Sequence, residues 1–301
     1  MKKFRIGGVP EHFNLPWRLA IEEGRIADMG VEMHWSDMAG GTGQMIKGLQ
    51  AGTLDIAVLL TEGITKAILE GLDCKILNVY VTTPLRWGIH VPFNSEMKRP
   101  EDIKEQTFAI SREGSGSHLM AYVNSLQRGW NTNELVFNIV GDIYGGLWAL
   151  ENNEAGVFLW EKYTTHPFVE QNKCKCIGEV VTPWPCFVVA VRNEVIEKHE
   201  ELLSKVFNIV SQTAKEIKED EKSADNIAWR YSLEPKQAKS WLSETNWNYT
   251  GENPIEGYEV VVDYLTKLNL ITPEQKECWK EKLFNKSFVS LLKENNITNK
   301  K

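Results

Sequence analysis

Strand and helix patterns alternate along the first two thirds of this 301-residue chain, and this alternation constrains the fold more than any other feature. Residues 54–60 form a nearly continuous apolar run, which is typical of a parallel strand covered on both faces. Short loops with glycine, such as residues 40–43 and 111–118, separate such runs from stretches with helical periodicity. Repeated βα units with short connections predict an α/β fold in which helices flank mostly parallel sheets.

The length of the chain predicts two domains. The chain is expected to leave the first lobe near residues 87–92 and to return near residues 187–192. The predicted first lobe is therefore discontinuous, residues 1–90 plus 191–301 with a helical C-terminal part, and the second lobe is residues 91–190. Two crossing segments would form a hinge, with a cleft between the lobes.

Charge and cysteine content exclude several classes of function. The net charge of −7, without a concentrated basic face, disfavours nucleic acid as a partner. Five cysteines are an odd number in a long chain, which does not describe a disulfide framework. Cys174 and Cys176 lack the second pair or nearby histidine of a zinc site, so no metal is predicted.

No apolar run reaches the roughly 18 residues of a membrane-spanning helix, so direct membrane insertion is not expected. The N-terminus lacks a secretory pattern, since Arg5 interrupts the apolar stretch. The sequence as written therefore predicts a cytoplasmic protein, or a periplasmic one if a leader has been removed.

Ligands of open α/β sheets bind beyond the carboxyl ends of the strands, which directs attention to five loops. These loops are residues 10–14, 40–42, 61–63, 111–118 and 160–165. In residues 111–118, glycines permit close approach of a ligand, serines supply hydroxyl groups, and the next helix offers free N–H groups. A plain helix cap explains this loop equally well. Neither a P-loop nor a G-x-G-x-x-G pattern is present, so no cofactor is predicted.

Acidic and aromatic residues follow the predicted strands. Glu62 and Glu161 could accept hydrogen bonds from an amine or amidine group, or they could be solvated or helix-capping acids. Trp160, Trp184 and Phe13 could stack on a ring or belong to the core. A catalytic serine beside His118 is disfavoured because the G-x-S-x-G pattern is absent, so no catalytic residue is predicted.

Four strings resemble the substrate-binding proteins of the nitrate, sulfonate and thiamine-pyrimidine ABC-transporter family: residues 40–44 (GGTGQ), 111–118 (SREGSGSH), 158–161 (FLWE) and 183–187 (PWPCF). The resemblance covers about residues 1–215. It implies the two-lobed type II periplasmic-binding-protein fold, a Venus-flytrap closure around a small solute, and an ABC permease as a partner. The chain departs from the family in lacking a leader, and from fungal relatives that make the thiamine pyrimidine in lacking a dense cysteine motif.

The candidate ligand-binding residues come from the matching positions, with Trp184 added as an aromatic loop residue. They are His12, Phe13, Thr42, Thr61, Glu62, Ser111, Arg112, Gly114, Ser115, Gly116, Ser117, His118, Trp160, Glu161 and Trp184. Helix N-termini favour an anionic solute, whereas the carboxylates and aromatic rings favour an amino-substituted ring.

The sequence thus predicts a small-solute-binding protein for a pyrimidine-like, sulfonate or carboxylate ligand. It would be a component of a transport system or a cytoplasmic relative of one. The alternative is a cytoplasmic biosynthetic enzyme on the same fold, acting on thiamine-pyrimidine or quinone precursors.

Overall fold

The computed structural model describes residues 1–250 and 255–285, which fall into two compact units. Unit 1 contains residues 1–83 and the chain from residue 184 onward, and unit 2 contains residues 84–183. Each boundary lies seven residues before the predicted one, at 83 rather than 90 and at 183 rather than 190. The boundaries differ because the segments interpreted as crossings, residues 87–92 and 187–192, belong to strands. The chain passes from one unit to the other just before each of these strands. Residues 286–301 of the predicted first lobe lie outside the described residues.

The strands are short and mostly apolar. In chain order they are β1 (Lys2–Gly8), β2 (Val31–Asp37), β3 (Ile56–Leu60), β4 (Cys74–Val81), β5 (Arg86–Pro92), β6 (Thr107–Ile110), β7 (Val136–Ile139), β8 (Val157–Glu161), β9 (Cys174–Val181) and β10 (Phe187–Arg192).

The helices follow the strands and dominate the last third of the chain. They are α1 (Leu15–Glu22), α2 (Gly41–Gln50), α3 (Thr61–Leu69), α4 (Gly116–Gln127), α5 (Ile143–Glu151), α6 (Lys162–Glu170), α7 (Asn193–Glu219, kinked at His199), α8 (Ser223–Tyr231), α9 (Pro235–Glu244), α10 (Ile255–Lys267), α11 (Pro273–Glu277) and α12 (Trp279–Leu283). Short 3-10 turns occupy His12–Asn14, Ala27–Met29, Pro100–Ile103 and Thr132–Glu134.

The two sheets have the same strand pattern. In unit 1 the order is β2-β1-β3-β10-β4, with β1 parallel to β2 and β3, and with β10 antiparallel to β3 and β4. In unit 2 the order is β7-β6-β8-β5-β9, with β6 parallel to β7 and β8, and with β5 antiparallel to β8 and β9. The predicted α/β class with helices flanking two sheets is confirmed. Each sheet contains one antiparallel strand, β10 in unit 1 and β5 in unit 2, and each is the first strand after the chain passes into that unit.

The buried residues explain why these elements form. In β3, Ile56, Ala57, Val58 and Leu59 are fully buried, as the continuous apolar run predicts for a central strand. In α7 the buried residues recur at helical spacing, so one apolar stripe of this long helix faces the core. Among the helices of the described residues, none combines the length and the apolar character needed to cross a membrane.

Candidate functional site

The loop rim of unit 1 brings the starts of α2 and α3 into direct contact. Thr42, in the first turn of α2, is buried, and its Oγ1 accepts a hydrogen bond from the backbone N–H of Leu60 at 3.2 Å. Gly63 lies in the first turn of α3, where an added Cβ would be 2.5 Å from Cγ2 of Thr42. A glycine is therefore required at this position, and Thr42 fixes the end of β3 against the next strand-to-helix connection.

Glu62 is a buried carboxyl group at the start of α3. Its side chain is part of a residue only 2% exposed, and the indole N–H of Trp184 donates to Oε2 at 3.0 Å. Oε1 has no hydrogen-bond partner among residues 1–250 and 255–285. Burial raises the pKa of Glu62 to about 7, with the indole hydrogen bond acting in the opposite direction. The group can therefore accept a further hydrogen bond and can change protonation near neutral pH.

Thr61 and Trp184 hold the environment of Glu62 in place. Thr61 Oγ1 donates to the carbonyl of Pro185 at 2.6 Å, and the Thr61 N–H donates to the carbonyl of Cys186 at 3.1 Å. Trp184 is 2% exposed and belongs to unit 1, not to the second lobe as predicted, because the chain has already crossed when it reaches this residue. In this position the indole orients Glu62, and its ring packs edge to face on Tyr264 at 5.4 Å.

His12 and Phe13 belong to an aromatic core in unit 1. Both are buried in the 3-10 turn that follows β1, and the centroid of the His12 ring lies 4.2 Å from that of Trp241 and 5.1 Å from that of Phe13. Burial lowers the pKa of His12 to about 3, so the ring is neutral near pH 7. Its Nε2 has no hydrogen-bond partner among the described residues. This placement leaves the imidazole little access to a solute at the rim.

The loop after β6 forms a chain of buried hydroxyl groups at the N-terminus of α4. Ser115 is the N-cap residue, and its Oγ accepts from the N–H of His118 at 3.3 Å. Ser117 Oγ accepts from the N–H of Ser111 at 3.0 Å and lies 3.1 Å from the hydroxyl of Ser115. Gly114 has a φ of +69°, which L side chains rarely adopt, and it turns the chain into the helix. The sequence-predicted residues of this loop are therefore brought together.

Five residues of this loop are more accessible than the serines, and Glu113 and Gly114 are the most exposed of them. Arg112 is half-buried, and burial lowers the pKa of its guanidinium group. Gly116 is also half-buried in the first turn of α4. His118 Nδ1 accepts from the N–H of Gly114 at 2.9 Å, which requires that the proton of the neutral ring be on Nε2. Arg112 and His118 thus supply hydrogen-bond donors beside the helix N-terminus.

Glu161 is a helix cap in unit 2. Its Oε2 accepts from the N–H of Thr164 at 2.6 Å and from the Thr164 hydroxyl at 2.7 Å, which caps α6. Burial raises the pKa of Glu161 to about 7. The neighbouring Trp160 is half-buried, and its ring is tilted on Phe158 at a centroid distance of 5.2 Å.

The sequence analysis missed one strand-to-helix loop of unit 2, residues 140–145 between β7 and α5. Asp142 caps α5 by accepting from the N–H of Gly145 at 2.9 Å, and Tyr144 is 69% exposed beside it. Gly141 directly after the apolar run at residues 135–140 is the sequence signal that could have revealed this loop. In the part of the chain that the structure describes, no group of three or more His, Cys, Asp or Glu side chains could hold a metal ion.

A cavity of about 390 Å³ in unit 1 lies away from this rim. Leu49 at the end of α2, Glu70 and Asp73 after α3, and Arg192 contribute to its walls. Because it is formed at the C-terminal ends of α2 and α3, it is at the opposite edge of the sheet from Thr42 and Glu62.

Comparisons with known proteins identify the fold. Residues 87–180 match the family model described as Ca3427-like PBP. The structure of the CA3427 gene product of Candida albicans, whose family is described as exhibiting the generic periplasmic binding protein fold, matches with a TM-score of 0.87 and 21% sequence identity. The match covers 95% of this chain and 97% of that chain. The chain has the periplasmic-binding-protein fold.

Two further structures extend this similarity. The alkanesulfonate-binding protein SsuA of Xanthomonas axonopodis pv. citri, bound to MOPS, has a TM-score of 0.76 and 12% identity, covering 94% of this chain and 98% of its own. The nitrate-binding protein NrtA of Synechocystis PCC 6803 has a TM-score of 0.76 and 12% identity, covering 99% and 89%. No curated protein matches the sequence. The predicted resemblance to substrate-binding proteins of this fold is confirmed.

Proposed function

We propose that this chain is a small-solute-binding protein that closes on one polar or heteroaromatic ligand. The fold supports this proposal, since it is shared over nearly the whole chain with an alkanesulfonate-binding and a nitrate-binding protein. The observation that carries it is Glu62, a buried carboxyl group whose Oε1 has no partner among the described residues. A buried acceptor left without a hydrogen bond costs about 1–3 kcal/mol, which a donor on a bound solute would recover.

We assign recognition of an anionic group, a sulfonate or a carboxylate, to the loop of residues 111–118. The N-terminus of α4 carries a positive partial charge and directs backbone N–H groups away from the helix. The half-buried guanidinium group of Arg112 and the Nε2–H of His118 add donors of the right chemistry. An anion at this position would be bound without a dedicated cluster of lysines.

We assign recognition of a hydrogen-bond donor, such as a ring amine or an amidine, to Glu62. The solute feature proposed for Glu62 in unit 1 is an amino-substituted ring, and the feature proposed for residues 111–118 in unit 2 is an acidic group. Thr42 and Thr61 position the backbone around Glu62, and their side-chain oxygens are already engaged within unit 1. Within unit 2, the half-buried Trp160 is the aromatic residue proposed to stack on a ring.

Binding is favoured over catalysis by the state of the two histidines. His12 is enclosed by aromatic rings and neutral, and His118 Nδ1 is occupied by the N–H of Gly114. The enclosed ring of His12 is unsuited to proton transfer, and the Nε2–H of His118 is assigned to a hydrogen bond with the anionic group. A similar structure from Staphylococcus aureus is described as the ligand-binding component of an ABC-type import system. We therefore propose an ABC permease as the partner, while the compartment remains a prediction.

The test is to identify the solute and then to measure its affinity. Mass spectrometry of small molecules released from the purified protein should find one unchanged metabolite of the proposed class. In calorimetry, Glu62→Gln should weaken binding about 10- to 100-fold, because a charge-assisted hydrogen bond contributes roughly 1.5–3 kcal/mol. Glu70→Gln, an exposed glutamate directly after the same helix, is the matched control and should leave the affinity unchanged.

The pH dependence of binding gives a second measurement. Because a donor binds the ionised form of Glu62, affinity should be constant above pH 7 and should fall about tenfold per pH unit below about 7. Two negative results together would contradict the proposal. The wild-type protein would release no solute, and sulfonates, carboxylates and aminopyrimidines at millimolar concentration would not shift its thermal midpoint. A mixture of substrate and product among the released molecules would instead indicate an enzyme.

A further inference from the structure

The cavity of unit 1 that lies away from the rim has an apolar part and a charged part. Its volume of about 390 Å³ falls in the range of about 300–1,000 Å³ that is typical of small-molecule sites. The apolar part of its wall is formed by Ile46, Leu49, Ala67 and Leu72, and the remaining wall by Gln50, Glu70, Gly71, Asp73 and Arg192. Leu49 and Ala67 are buried, whereas Asp73 is exposed. The molecule that fits both parts has an apolar body and a charged end.

Asp73 and Arg192 bring a negative and a positive charge close together at this cavity. Arg192 pairs with Cys74 in the β10–β4 ladder, and Asp73 directly precedes Cys74. Nη1 of Arg192 lies 2.8 Å from Oε1 of Glu194, and Oδ1 of Asp73 accepts from the side-chain amide of Asn193 at 2.5 Å. In the described part of the chain, the two neighbouring charges are therefore paired with other residues and not with each other.

Both groups retain the capacity to bind a further partner. A guanidinium group has five N–H donors, and a carboxylate has two oxygens that each accept more than one hydrogen bond. The side chain of Glu194 is 50% exposed, and an ion pair with so exposed a partner contributes little to stability. Replacing or sharing this pair with a ligand carboxylate therefore costs little.

The surroundings of Asp73 favour a cation beside it. Helices α2 and α3 both end at this cavity, and the C-terminus of a helix carries a negative partial charge. Glu70 adds no unpaired charge, because it forms an ion pair with Lys66 one turn earlier in α3. An ammonium group at Asp73 would therefore lie in a negative field, while a carboxylate would be held at Arg192.

We propose that this cavity binds the zwitterion of a small apolar amino acid. Its ammonium group would contact Asp73, its carboxylate would contact Arg192, and its side chain would pack on the apolar wall. A simple amine or a simple carboxylic acid would match only one of the two charges, whereas a zwitterion matches both. This site is separate from the proposed solute site, because it lies at the opposite edge of the sheet from Thr42 and Glu62.

The test is a calorimetric titration of the full chain with L-leucine and with L-phenylalanine. At least one of them should bind saturably, with a dissociation constant below about 1 mM. Leucinamide lacks the carboxylate and 4-methylpentanoate lacks the ammonium group. Each should bind at least about tenfold more weakly than leucine, because a charge-assisted contact is lost.

The decisive variant is Asp73→Asn, which has the same shape and keeps an acceptor for the side-chain amide of Asn193. It should raise the dissociation constant of the amino acid about tenfold or more, and Arg192→Gln should do the same. Asp225→Asn, an exposed acid in the first turn of α8, is the matched control and should leave the affinity unchanged. Glu62→Gln should also leave it unchanged, so this site and the proposed solute site are tested independently.

Three results would overturn the proposal. The first is the absence of saturable binding of either amino acid up to about 10 mM. The second is binding that neither Asp73→Asn nor Arg192→Gln weakens, which would show that the amino acid binds elsewhere; a loss of that binding in Glu62→Gln would place it at the rim. The third is leucinamide or 4-methylpentanoate binding as tightly as leucine, which would show that the cavity does not recognise a zwitterion.

Discussion

The two units share one strand pattern but treat their buried polar groups differently. Among the residues with described burial, each unit contains one buried histidine and one buried glutamate: His12 after β1 and Glu62 after β3 in unit 1, and His90 within β5 and Glu161 at the end of β8 in unit 2. In unit 1, Nε2 of His12 and Oε1 of Glu62 have no hydrogen-bond partner among the described residues. In unit 2, Glu161 accepts two hydrogen bonds from Thr164, so its Oε2 is satisfied within the unit even though burial raises its pKa as it does that of Glu62.

His90 shows the same compensation. Its Nδ1 lies 3.2 Å from the carbonyl of Phe158, and its Nε2 lies 2.8 Å from Oγ1 of Thr165. A carbonyl can only accept, so the proton of the neutral ring is on Nδ1. Nε2 is then an acceptor beside the Thr165 hydroxyl, whose single hydrogen also lies within reach of the carbonyls of Glu161 and Lys162. The glutamates at the ends of β3 and β8 therefore differ: Glu161 in unit 2 caps a helix, whereas Glu62 in unit 1 keeps a carboxyl oxygen that can accept a further hydrogen bond.

The largest expected effect is the pH dependence of the free energy of unfolding that the two buried histidines cause. Burial lowers the pKa of His12 to about 3 and that of His90 to about 4, so both must stay neutral in the folded protein. Because the folded protein keeps both rings neutral, their contribution to the free energy of unfolding is fully present above pH 6.5. It is lost as pH falls toward these values. For His12→Phe, the free energy of unfolding should fall less between pH 6.5 and 4 than in the wild type, by about 3 kcal/mol.

The matched variant His90→Phe should differ at pH 8, where His12 and His90 are both neutral. It leaves the carbonyl of Phe158 without its donor and should lower the free energy of unfolding by roughly 1–3 kcal/mol. His12→Phe should be close to neutral there, because no bond from Nε2 is lost. Urea unfolding at both pH values makes the measurement. Equal losses for the two variants at pH 8 would show that the units do not differ in this way.

The second prediction concerns the two glutamates in the absence of ligand. Glu161→Ala removes the cap of α6 and both bonds to Thr164, and should lower the free energy of unfolding by about 2 kcal/mol. Glu62→Gln keeps an acceptor for the Trp184 indole and should not destabilise the protein. Because burial raises the pKa of Glu62, the protonated side chain contributes to the free energy of unfolding below pH 4.5. This contribution is lost as pH rises through 7. Glu62→Gln should therefore be more stable than the wild type at pH 8, and a loss of stability there would contradict this account.

The sequence predicted the positions of both glutamates but not their difference. Glu62 and Glu161 each follow an apolar strand, and the continuous apolar run at residues 54–60 locates β3 correctly. The partner of Glu62 is Trp184, which is 122 residues away along the chain, whereas the partner of Glu161 is Thr164, three residues away. Short-range pattern can reveal a helix cap, but only the tertiary fold reveals which carboxyl oxygen is left without a donor.

Two elements were missed for a related reason. Strand β5 contains the buried polar residue His90 and ends at Pro92, so it was interpreted as a crossing segment instead of a strand. Helix α5 exposes Tyr144 and Trp148, which removes the polar face that makes a surface helix recognisable. Both elements depart from the residue pattern that predicts their type. Strand β5 has a buried polar residue and a proline, and helix α5 has exposed aromatic residues.

The smallest expected effect tests whether the backbones of the two rims are equivalent even though their polar groups are not. Gly41 at the start of α2 has a φ of +64°, and Gly114 before α4 has a φ of +69°. An added Cβ at either position would meet no atom within 4 Å, so alanine brings strain without a clash. Gly41→Ala and Gly114→Ala should each lower the free energy of unfolding by about 1 kcal/mol, the cost of a left-handed conformation.

Gly116→Ala, within α4, is the control and should be neutral or stabilising, because alanine is the better helix former. Markedly unequal losses at Gly41 and Gly114 would mean that one loop relaxes its backbone and the other cannot, and the difference between the units would then extend beyond their side chains.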